Sequence, residues 1–270
     1  MSNDNANERL RNLLLDYYRA YYLDTLGLQD WQARVESFRF QEEALIGKKL
    51  EQITASAGVS LDVRRALVVG CGTGAELFYL LGRADIDVRG IEPFDEAITI
   101  CDLKAKTRGV RPGLVTKESV EHMSFADDFF DLIICFTVLE HVHDVDLALR
   151  EMVRVMAPGG KALLVLPDYR FPEEPHYKLL TLPPAWFPGF VRWHLRRLGR
   201  PTGLFDSLNL LTRGRLTRKL KMLGITYRIV REYSFKNNFP FILKAYSYMF
   251  GIDRNQMIVL SKPMVVKEEK

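Results

Sequence analysis

Three closely spaced glycines, Gly70, Gly72 and Gly74, follow the apolar run 66–69. Such a run is typical of a buried parallel strand, and the glycines let the chain turn sharply and let a ligand approach the backbone. No Gly-Lys-Ser/Thr follows, as it would in the phosphate loop of an NTPase. The third glycine comes one residue too early for a dinucleotide turn. The pattern favours a nucleoside with a small charged tail, with an ordinary tight turn as the alternative.

Glu92 supplies the next group with a chemical role, at the end of a predicted strand over 88–91. A carboxylate there can accept hydrogen bonds from both hydroxyls of a ribose, as the acidic residue about 20 positions along the chain does in dinucleotide folds. Glu92 would also suit the N-terminus of the helix that follows Pro93, and the two roles are compatible.

These residues belong to a series of motifs by which the chain resembles the class I S-adenosylmethionine-dependent methyltransferases, of the methyltransferase domain 11 type. The motifs follow the family's order at about its spacing and cover roughly residues 60 to 168. They are Val69 to Gly74, Gly90 to Pro93, Glu121 to Phe125, Phe130 to Cys135, Val138 to Val142 and Pro158 to Gly160. The sequence Leu139-Glu140-His141 is similar to the branch that modifies small molecules and glycans, including bacterial surface polysaccharides and lipid-linked glycans.

The resemblance implies S-adenosyl-L-methionine as the cofactor and S-adenosyl-L-homocysteine as the product. It places the cofactor at the ends of the first, second and fourth strands and after the third. The residues so assigned are Gly70, Cys71, Gly72, Thr73, Gly74, Glu92, Pro93, Phe94, Ser119, Val120 and Phe136. Ser119 stands where the family often has an Asp that holds the adenine amino group, and the neighbouring Glu118 could substitute for it.

Composition is that of an ordinary globular protein. The 270 residues suit one large domain or a domain with a cap, and a net charge of +4 is too small to indicate nucleic acid binding. Three cysteines, at 71, 101 and 135, lack metal-binding spacing and fit a reducing compartment, so we predict no metal site. A polar N-terminus without a signal peptide, and no long apolar run, predict a cytoplasmic protein.

The alternation of strands and helices predicts an α/β fold with a parallel sheet. We predict strands at 66–69, 88–91, 113–116, 130–135, 161–166, 225–233 and 256–261, and helices near 75–82, 95–106 and 144–156. The resemblance implies a Rossmann-like seven-stranded sheet of order 3-2-1-4-5-7-6, with the last strand antiparallel and helices on both faces. Ligands bind beyond the carboxyl ends of such strands, where Gly70, Glu92 and Phe136 would meet.

Four further segments surround or complete this core, which spans 61–168. The pattern of residues 1–60 predicts helices that are broken near Gly27 and Gly47. The resemblance implies that these helices form a lid over the cofactor, with Arg39 as a lid contact. The alternative is that they simply pack on the domain. The proline-rich insertion 169–211 is expected to form an acceptor-binding cap. Residues 212–264 complete the sheet around an aromatic insertion at 234–254, and 265–270 form a disordered tail.

Methyl transfer to an oxygen also needs a group that takes the acceptor's proton. His141 follows the fourth strand at the ligand edge, His176 lies in the insertion, and Asp168 closes the fifth strand, so these three are the candidate catalytic residues, with His143 also in reach of the edge. Each has a plainer alternative: a helix entry for His141, a loop histidine without a role for His176, and a loop cap for Asp168.

We therefore predict O-methylation of a glycan, lipid-linked sugar or other small acceptor. The first alternative, an aminopropyl transferase on the same fold, is disfavoured because Phe136-Thr137-Val138 stands where its acidic motif would be. The second is a non-catalytic cofactor-binding scaffold. The aromatic and basic stretch at 186–200 predicts either peripheral contact with the inner face of a membrane or packing within the cap. The sequence does not indicate an oligomeric state.

Overall fold

The computed structural model describes residues 3–83, 86–230 and 241–264. Within these ranges the chain forms nine strands, which are, in chain order, β1 (Arg65–Val69), β2 (Asp87–Ile91), β3 (Val115–Thr116), β4 (Phe130–Phe136), β5 (Met156–Pro167), β6 (Glu173–Glu174), β7 (Leu179–Leu180), β8 (Thr226–Val230) and β9 (Asn255–Ser261). Strands β6 and β7 pair only with each other, and the other seven form a sheet of order β3-β2-β1-β4-β5-β9-β8. Strand β9 runs antiparallel to both β5 and β8. The predicted α/β sheet and its order are confirmed.

Ten α-helices accompany these strands in the described ranges. They are α1 (Asn3–Arg19), α2 (Trp31–Ser37), α3 (Glu42–Ser56), α4 (Ala75–Leu81), α5 (Asp95–Thr107), α6 (Val145–Val155), α7 (Pro188–Arg197), α8 (Gly203–Ser207), α9 (Arg213–Met222) and α10 (Phe241–Phe250). Among them, no helix combines the length and apolarity needed to cross a bilayer. Parts of the predicted strand 225–233 and aromatic insertion, and the whole predicted tail, lie outside the described residues.

The sheet is buried on both faces, which is why its parallel strands read as short continuous apolar runs. On one face, Leu149 of α6 and Leu216 of α9 pack against β4 and β5. On the other face, Ile53 of α3 and Leu77 of α4 pack against β1. The two layers leave the carboxyl ends of the parallel strands as the edge at which a ligand can bind.

The N-terminal helices and the insertion 169–211 share a third apolar core next to that edge. Tyr18 and Tyr22, one helical turn apart, pack in one cluster with Tyr177, Val191 and Phe205 of the insertion. Within the insertion, the Tyr177 hydroxyl donates to the Pro201 carbonyl at 2.7 Å, which fixes the Tyr177 ring in this cluster. The two segments predicted as lid and cap therefore support each other.

Gly47 is not the helix break that its position predicts, because it lies inside α3. A Cβ atom at this position would lie 2.2 Å from Cδ2 of Tyr79 on α4. The glycine lets an aromatic ring lie directly against the α3 backbone, and this contact joins the N-terminal segment to the first helix of the core. The break occurs earlier, where α2 ends before a short 3₁₀ turn at Arg39–Gln41.

Pro158-Gly159-Gly160, predicted as a turn before the fifth strand, lies within β5. The register passes from Phe130 opposite Met156 to Leu132 opposite Lys161, so β5 carries a bulge here. Gly159 adopts a φ of +79°, as such a bulge requires. The glycines thus shape the start of the strand at the end of the sheet opposite to the ligand edge.

Candidate active site

Neighbouring strands bring the predicted cofactor residues to one edge of the sheet. Val69, the last residue of β1, lies opposite Ile91, the last residue of β2, and beside the end of β4. Gly70 and Glu92, which follow β1 and β2, and Phe136, the last residue of β4, therefore lie close together. This is the edge where open α/β sheets bind their ligands.

The glycine turn after β1 has a left-handed backbone at each glycine, with φ of +59° at Gly70, +51° at Gly72 and +85° at Gly74. A Cβ atom at Gly70 would lie 2.5 Å from Val138, and one at Gly74 would lie 2.8 Å from Phe78. A Cβ atom at Gly72 would meet no protein atom within 4 Å. The first and third glycines are thus required by packing, while the second leaves the turn open to a ligand.

Glu92 is joined to this turn by its carboxylate. The Gly72 N–H donates to one carboxylate oxygen at 2.9 Å, and the Phe94 N–H donates to the other at 3.3 Å. Glu92 is only 5% exposed, and burial raises its pKa. Pro93 and Phe94 beside it are exposed, and they do not line the cavity described below.

The segment after β3 is arranged differently from the predicted adenine contact. The Ser119 hydroxyl donates to the Glu121 carboxylate at 2.5 Å, and Val120 is buried in the core. Glu118, the proposed substitute, accepts from the Ser124 N–H at 3.0 Å. The Ser119 hydroxyl still has its oxygen as an acceptor for a ligand amino group.

A cavity of about 210 Å³ opens between the glycine turn and the N-terminal helices. Its lining residues are Tyr17, Tyr18, Tyr21, Arg39, Glu42, Gly70, Cys71, Gly72, Thr73, Ala75, Glu76, Phe136 and Thr137. Five of the predicted cofactor residues are among them, namely Gly70, Cys71, Gly72, Thr73 and Phe136. Together with the open face of Gly72 and the carboxylate bonded to it, this cradle fits a nucleoside cofactor.

Two acidic residues of the cavity, Glu42 and Glu76, were not predicted from the sequence. Burial raises the pKa of Glu76 to about 7. A buried carboxylate of this kind suits the cationic end of a cofactor that carries an ammonium and a sulfonium. The available signals were weak, since Glu42 follows the contact Arg39 at the start of a helix and Glu76 lies in the first turn of α4.

Arg39 ties the N-terminal segment to the glycine turn through Glu42. The Arg39 guanidinium forms an ion pair with Glu42 and donates to the Tyr22 hydroxyl at 2.9 Å. The Tyr18 hydroxyl donates to the Glu42 carboxylate at 3.0 Å and lies 2.8 Å from the hydroxyl of Thr73 in the turn. Arg39 also lies over the Tyr18 ring, 4.4 Å from its centroid.

The two candidate histidines, 35 positions apart in the chain, lie in direct contact. Nε2 of His176 is 3.2 Å from Nε2 of His141, and Nδ1 of His176 is 2.9 Å from Glu174. Although part of the His141 side chain is exposed, the protein atoms around its ring and the nearby His176 lower its pKa to about 4. Burial opposes protonation of His176, but the hydrogen bond and the charges of Glu174 and Glu140 raise its pKa overall.

Glu140 completes this group, which we call the histidine cluster: Glu140, His141, His176 and Glu174. Glu140 is fully buried, and its two carboxylate oxygens have no hydrogen-bond partner among the described residues. Burial raises its pKa to about 7. The cluster was only half predicted, because neither glutamate has a distinctive spacing in the sequence.

Asp168 does not join the histidine cluster. Its buried carboxylate forms an ion pair with Arg170 at 2.6 Å and accepts from the Arg170 backbone N–H at 3.2 Å. With its oxygens held by a cation two residues away, Asp168 acts as a structural group at the end of β5, and we do not retain it as a base. The pairing follows from a tight local turn, in which the Phe171 N–H donates to the Asp168 carbonyl.

The aromatic stretch on and before α7 is at the surface. Trp186 is 55% exposed and Trp193 is 56% exposed, and Phe187 and Phe190 between them are exposed as well. The interpretation that these side chains pack inside the cap is wrong, whereas contact with a membrane stays a prediction.

Replacement of Glu92 by alanine is expected to weaken S-adenosylhomocysteine binding by about tenfold to a hundredfold, because hydrogen bonds to a charged group contribute about 1.5–3 kcal/mol. Calorimetric titration of both proteins measures the change. Glu96→Ala is the matched control, since Glu96 lies exposed in the first turn of α5. Equal affinities for wild type and Glu92→Ala would show that the ribose is held elsewhere.

Comparison with known proteins agrees with this geometry. The methyltransferase domain family matches residues 67–164. That range includes the glycine turn, Glu92 and His141. The ubiquinone biosynthesis O-methyltransferase of Aeromonas salmonicida is 26% identical over 215 residues, which cover 80% of this chain and 83% of that protein.

Solved structures share the fold. The YcgJ protein of Bacillus subtilis superposes with a TM-score of 0.54 at 19% identity, covering 82% of this chain and 97% of that chain. A geranyl diphosphate methyltransferase solved in complex with S-adenosylmethionine gives a TM-score of 0.54 at 16% identity, covering 88% and 92%. The matched domain, the cradle at its glycine turn and the shared fold agree: residues 67–164 carry a methyltransferase domain, and the chain resembles the class I S-adenosylmethionine-dependent methyltransferases in its fold.

Proposed function

We propose that the chain transfers the methyl group to a hydroxyl oxygen of a small acceptor, such as a glycan, a lipid-linked sugar or a phenolic compound. The observation that carries this proposal is the histidine cluster beside the cofactor cavity. Phe136 and Thr137 line the cavity, and Glu140 and His141 follow Thr137 by only three and four residues. The cluster thus lies where an acceptor would meet the cofactor.

Tyr21 connects the two parts of the site. It lines the cavity, and its ring packs against the apolar cluster that contains Tyr177, the residue next to His176. An acceptor bound between Tyr21 and His141 would therefore contact both the cavity and the polar cluster. Tyr17 and Tyr21, which line the cavity, pack against the apolar core that the N-terminal helices share with the insertion 169–211.

Residues that line the cavity, together with Glu92 beside the glycine turn, suit each part of the cofactor. Glu92 would accept from the ribose hydroxyls, the open turn at Gly72 would carry the amino-acid moiety, and Arg39 would face its carboxylate. The bound cofactor supplies a methyl group on a sulfonium sulfur. The protein must then hold the acceptor oxygen in line with that methyl group and exclude water, which can contribute about 7–11 kcal/mol to lowering the barrier.

The histidine cluster would remove the proton of the acceptor hydroxyl. Such assistance typically contributes about 10²–10⁴-fold to a rate. An oxygen acceptor is also consistent with the similarity to the Aeromonas protein, which is an O-methyltransferase of ubiquinone biosynthesis. A nitrogen acceptor that is already nucleophilic would not need a buried group of two histidines and two glutamates.

An acceptor screen tests this proposal. Purified protein with S-adenosylmethionine would be given catechols, other phenols, hexoses, amino sugars and primary amines, and S-adenosylhomocysteine release would be measured beside product mass. We expect release only with hydroxyl acceptors, with the added methyl group on oxygen by fragmentation. Methylated amines in the absence of any methylated hydroxyl would overturn the O-directed reaction.

A further inference from the structure

We propose that Glu140, His141 and His176 form a binding site for a divalent transition-metal ion such as Zn²⁺. One ligand atom from each of these side chains lies within 4.8 Å of the others. The proposal deepens the proposed function, because the cation would lie on the acceptor side of the cofactor cavity. Whether the cation binds can nevertheless be measured without turnover.

The distance between the two imidazoles matches ligands of one ion. Zinc binds histidine nitrogen at about 2.0–2.1 Å, and tetrahedral geometry then separates two such nitrogens by about 3.3 Å. The observed separation of the Nε2 atoms of His141 and His176 is 3.2 Å. Two neutral imidazoles that face each other through these atoms can share either a proton or a metal ion.

Glu140 favours the metal ion over the shared proton. Its side chain is fully buried, yet both carboxylate oxygens lack a hydrogen-bond partner among the described residues. A buried charge without a partner is costly, so buried carboxylates are normally paired, hydrogen-bonded or bound to metal. A proton held between the two histidines would leave both oxygens unsatisfied, whereas a metal ion would bind one of them.

The backbone around Glu140 is fixed. Asn209 donates from its backbone N–H to the Glu140 carbonyl at 2.8 Å and from its side chain to the Val142 carbonyl at 2.6 Å. These contacts come from the insertion, which also supplies His176. The insertion therefore holds the position of two ligands, and the site forms only when it is folded against the core.

Glu174 supplies the outer contact that metal-binding histidines usually have. It accepts from Nδ1 of His176 at 2.9 Å and from the Tyr177 N–H at 2.8 Å, and it is fully buried. A carboxylate that accepts from one ring nitrogen fixes the tautomer and directs the other nitrogen's lone pair to the metal. Here that second nitrogen is the one that faces His141.

The donor set indicates the class of ion. Two imidazoles and one carboxylate suit Zn²⁺, Co²⁺, Mn²⁺ or Fe²⁺, whereas Mg²⁺ and Ca²⁺ prefer oxygen ligands. Three protein ligands leave a fourth position, as in catalytic zinc sites. His141 is exposed, so this position is open toward the acceptor side. An acceptor hydroxyl there would lose its proton more readily, as zinc-bound water does.

Cobalt titration of tag-free protein, stripped with a chelator, tests the site. We expect one Co²⁺ per chain, seen as visible absorbance of a four-coordinate ion, and displacement by Zn²⁺. Glu140→Gln and His176→Asn should weaken Co²⁺ binding by at least about a hundredfold. His143→Ala is the matched control, since His143 is exposed two residues from His141 and should leave binding unchanged. S-adenosylhomocysteine binding by each variant confirms that it is folded.

Stoichiometric binding that survives both Glu140→Gln and His176→Asn, or no binding to the stripped protein, would overturn the metal site. The proposed function has a separate readout. If the stripped protein methylates hydroxyl acceptors at the full rate without binding Co²⁺, the metal site fails and the O-methyltransferase reaction stands. If Co²⁺ binds as expected and no hydroxyl acceptor is methylated, the metal site stands and the proposed function fails.

Discussion

His176→Asn is expected to lower kcat with a hydroxyl acceptor by about 10²–10⁴-fold, the usual contribution of a group that assists proton removal. Asparagine keeps an amide N–H close to the position of Nδ1, so the bond to the buried Glu174 can persist. It has no atom at the position of Nε2, which is the nitrogen that faces His141. The substitution thus removes the reactive nitrogen while it preserves the structural contact.

Steady-state kinetics together with calorimetry separate a chemical role from a structural one. His176 does not line the cofactor cavity, so the affinity for S-adenosylhomocysteine should stay within about twofold of wild type while kcat falls. The exposed His143 gives the control variant His143→Ala, for which neither quantity should change. A parallel loss of cofactor affinity and kcat in His176→Asn would mean that the residue only supports the fold.

The sequence was sufficient wherever the chemistry follows from neighbouring residues. A short apolar run that ends in three glycines predicts a buried strand and an open turn, because both properties are local. Glu92 could be predicted in the same way, since the end of a strand next to the turn must lie at the ligand edge. The strand order needed more than local pattern, and it came from the resemblance to a family.

The sequence was insufficient where distant segments meet. Glu140 and Glu174 acquire their significance from the loop after β4 and the β6–β7 hairpin, which bring them together around His176. No spacing rule connects these residues, so the sequence does not predict the metal site that we propose. Asp168 shows the opposite case: its position at the end of a strand predicted a chemical role, whereas the structure pairs its carboxylate with Arg170, two residues away.

Close packing explains a further difference. Gly47 is a helix breaker by propensity, yet in the structure it makes room for the ring of Tyr79 on another helix. The absence of a Cβ atom suits a glycine both for ending a helix and for permitting a close contact within one. Sequence alone cannot tell which of these two roles a glycine has. The same contact fixes α3, and with it the position of Glu42 in the cavity.

Arg39→Met is expected to lower the free energy of unfolding by about 3–5 kcal/mol, since it leaves the buried Glu42 carboxylate without its cation. Glu42 is 7% exposed and otherwise bonded to hydroxyl groups. Urea denaturation measures the change. Arg83→Met is the control, because Arg83 and Glu51 form an exposed pair at 3.4 Å that should contribute about 0–1 kcal/mol.

The double variant Arg39→Met with Glu42→Gln shows why the ion pair is there. Glutamine is uncharged and can still accept from Tyr18, so the double variant should recover about 2 kcal/mol or more relative to Arg39→Met alone. Cofactor affinity should not recover, because the guanidinium that lines the cavity is still missing. Recovery of both stability and affinity would assign Arg39 a purely structural role. Recovery of stability alone would identify Arg39 as a residue that binds the cofactor, with Glu42 balancing its charge in the buried site.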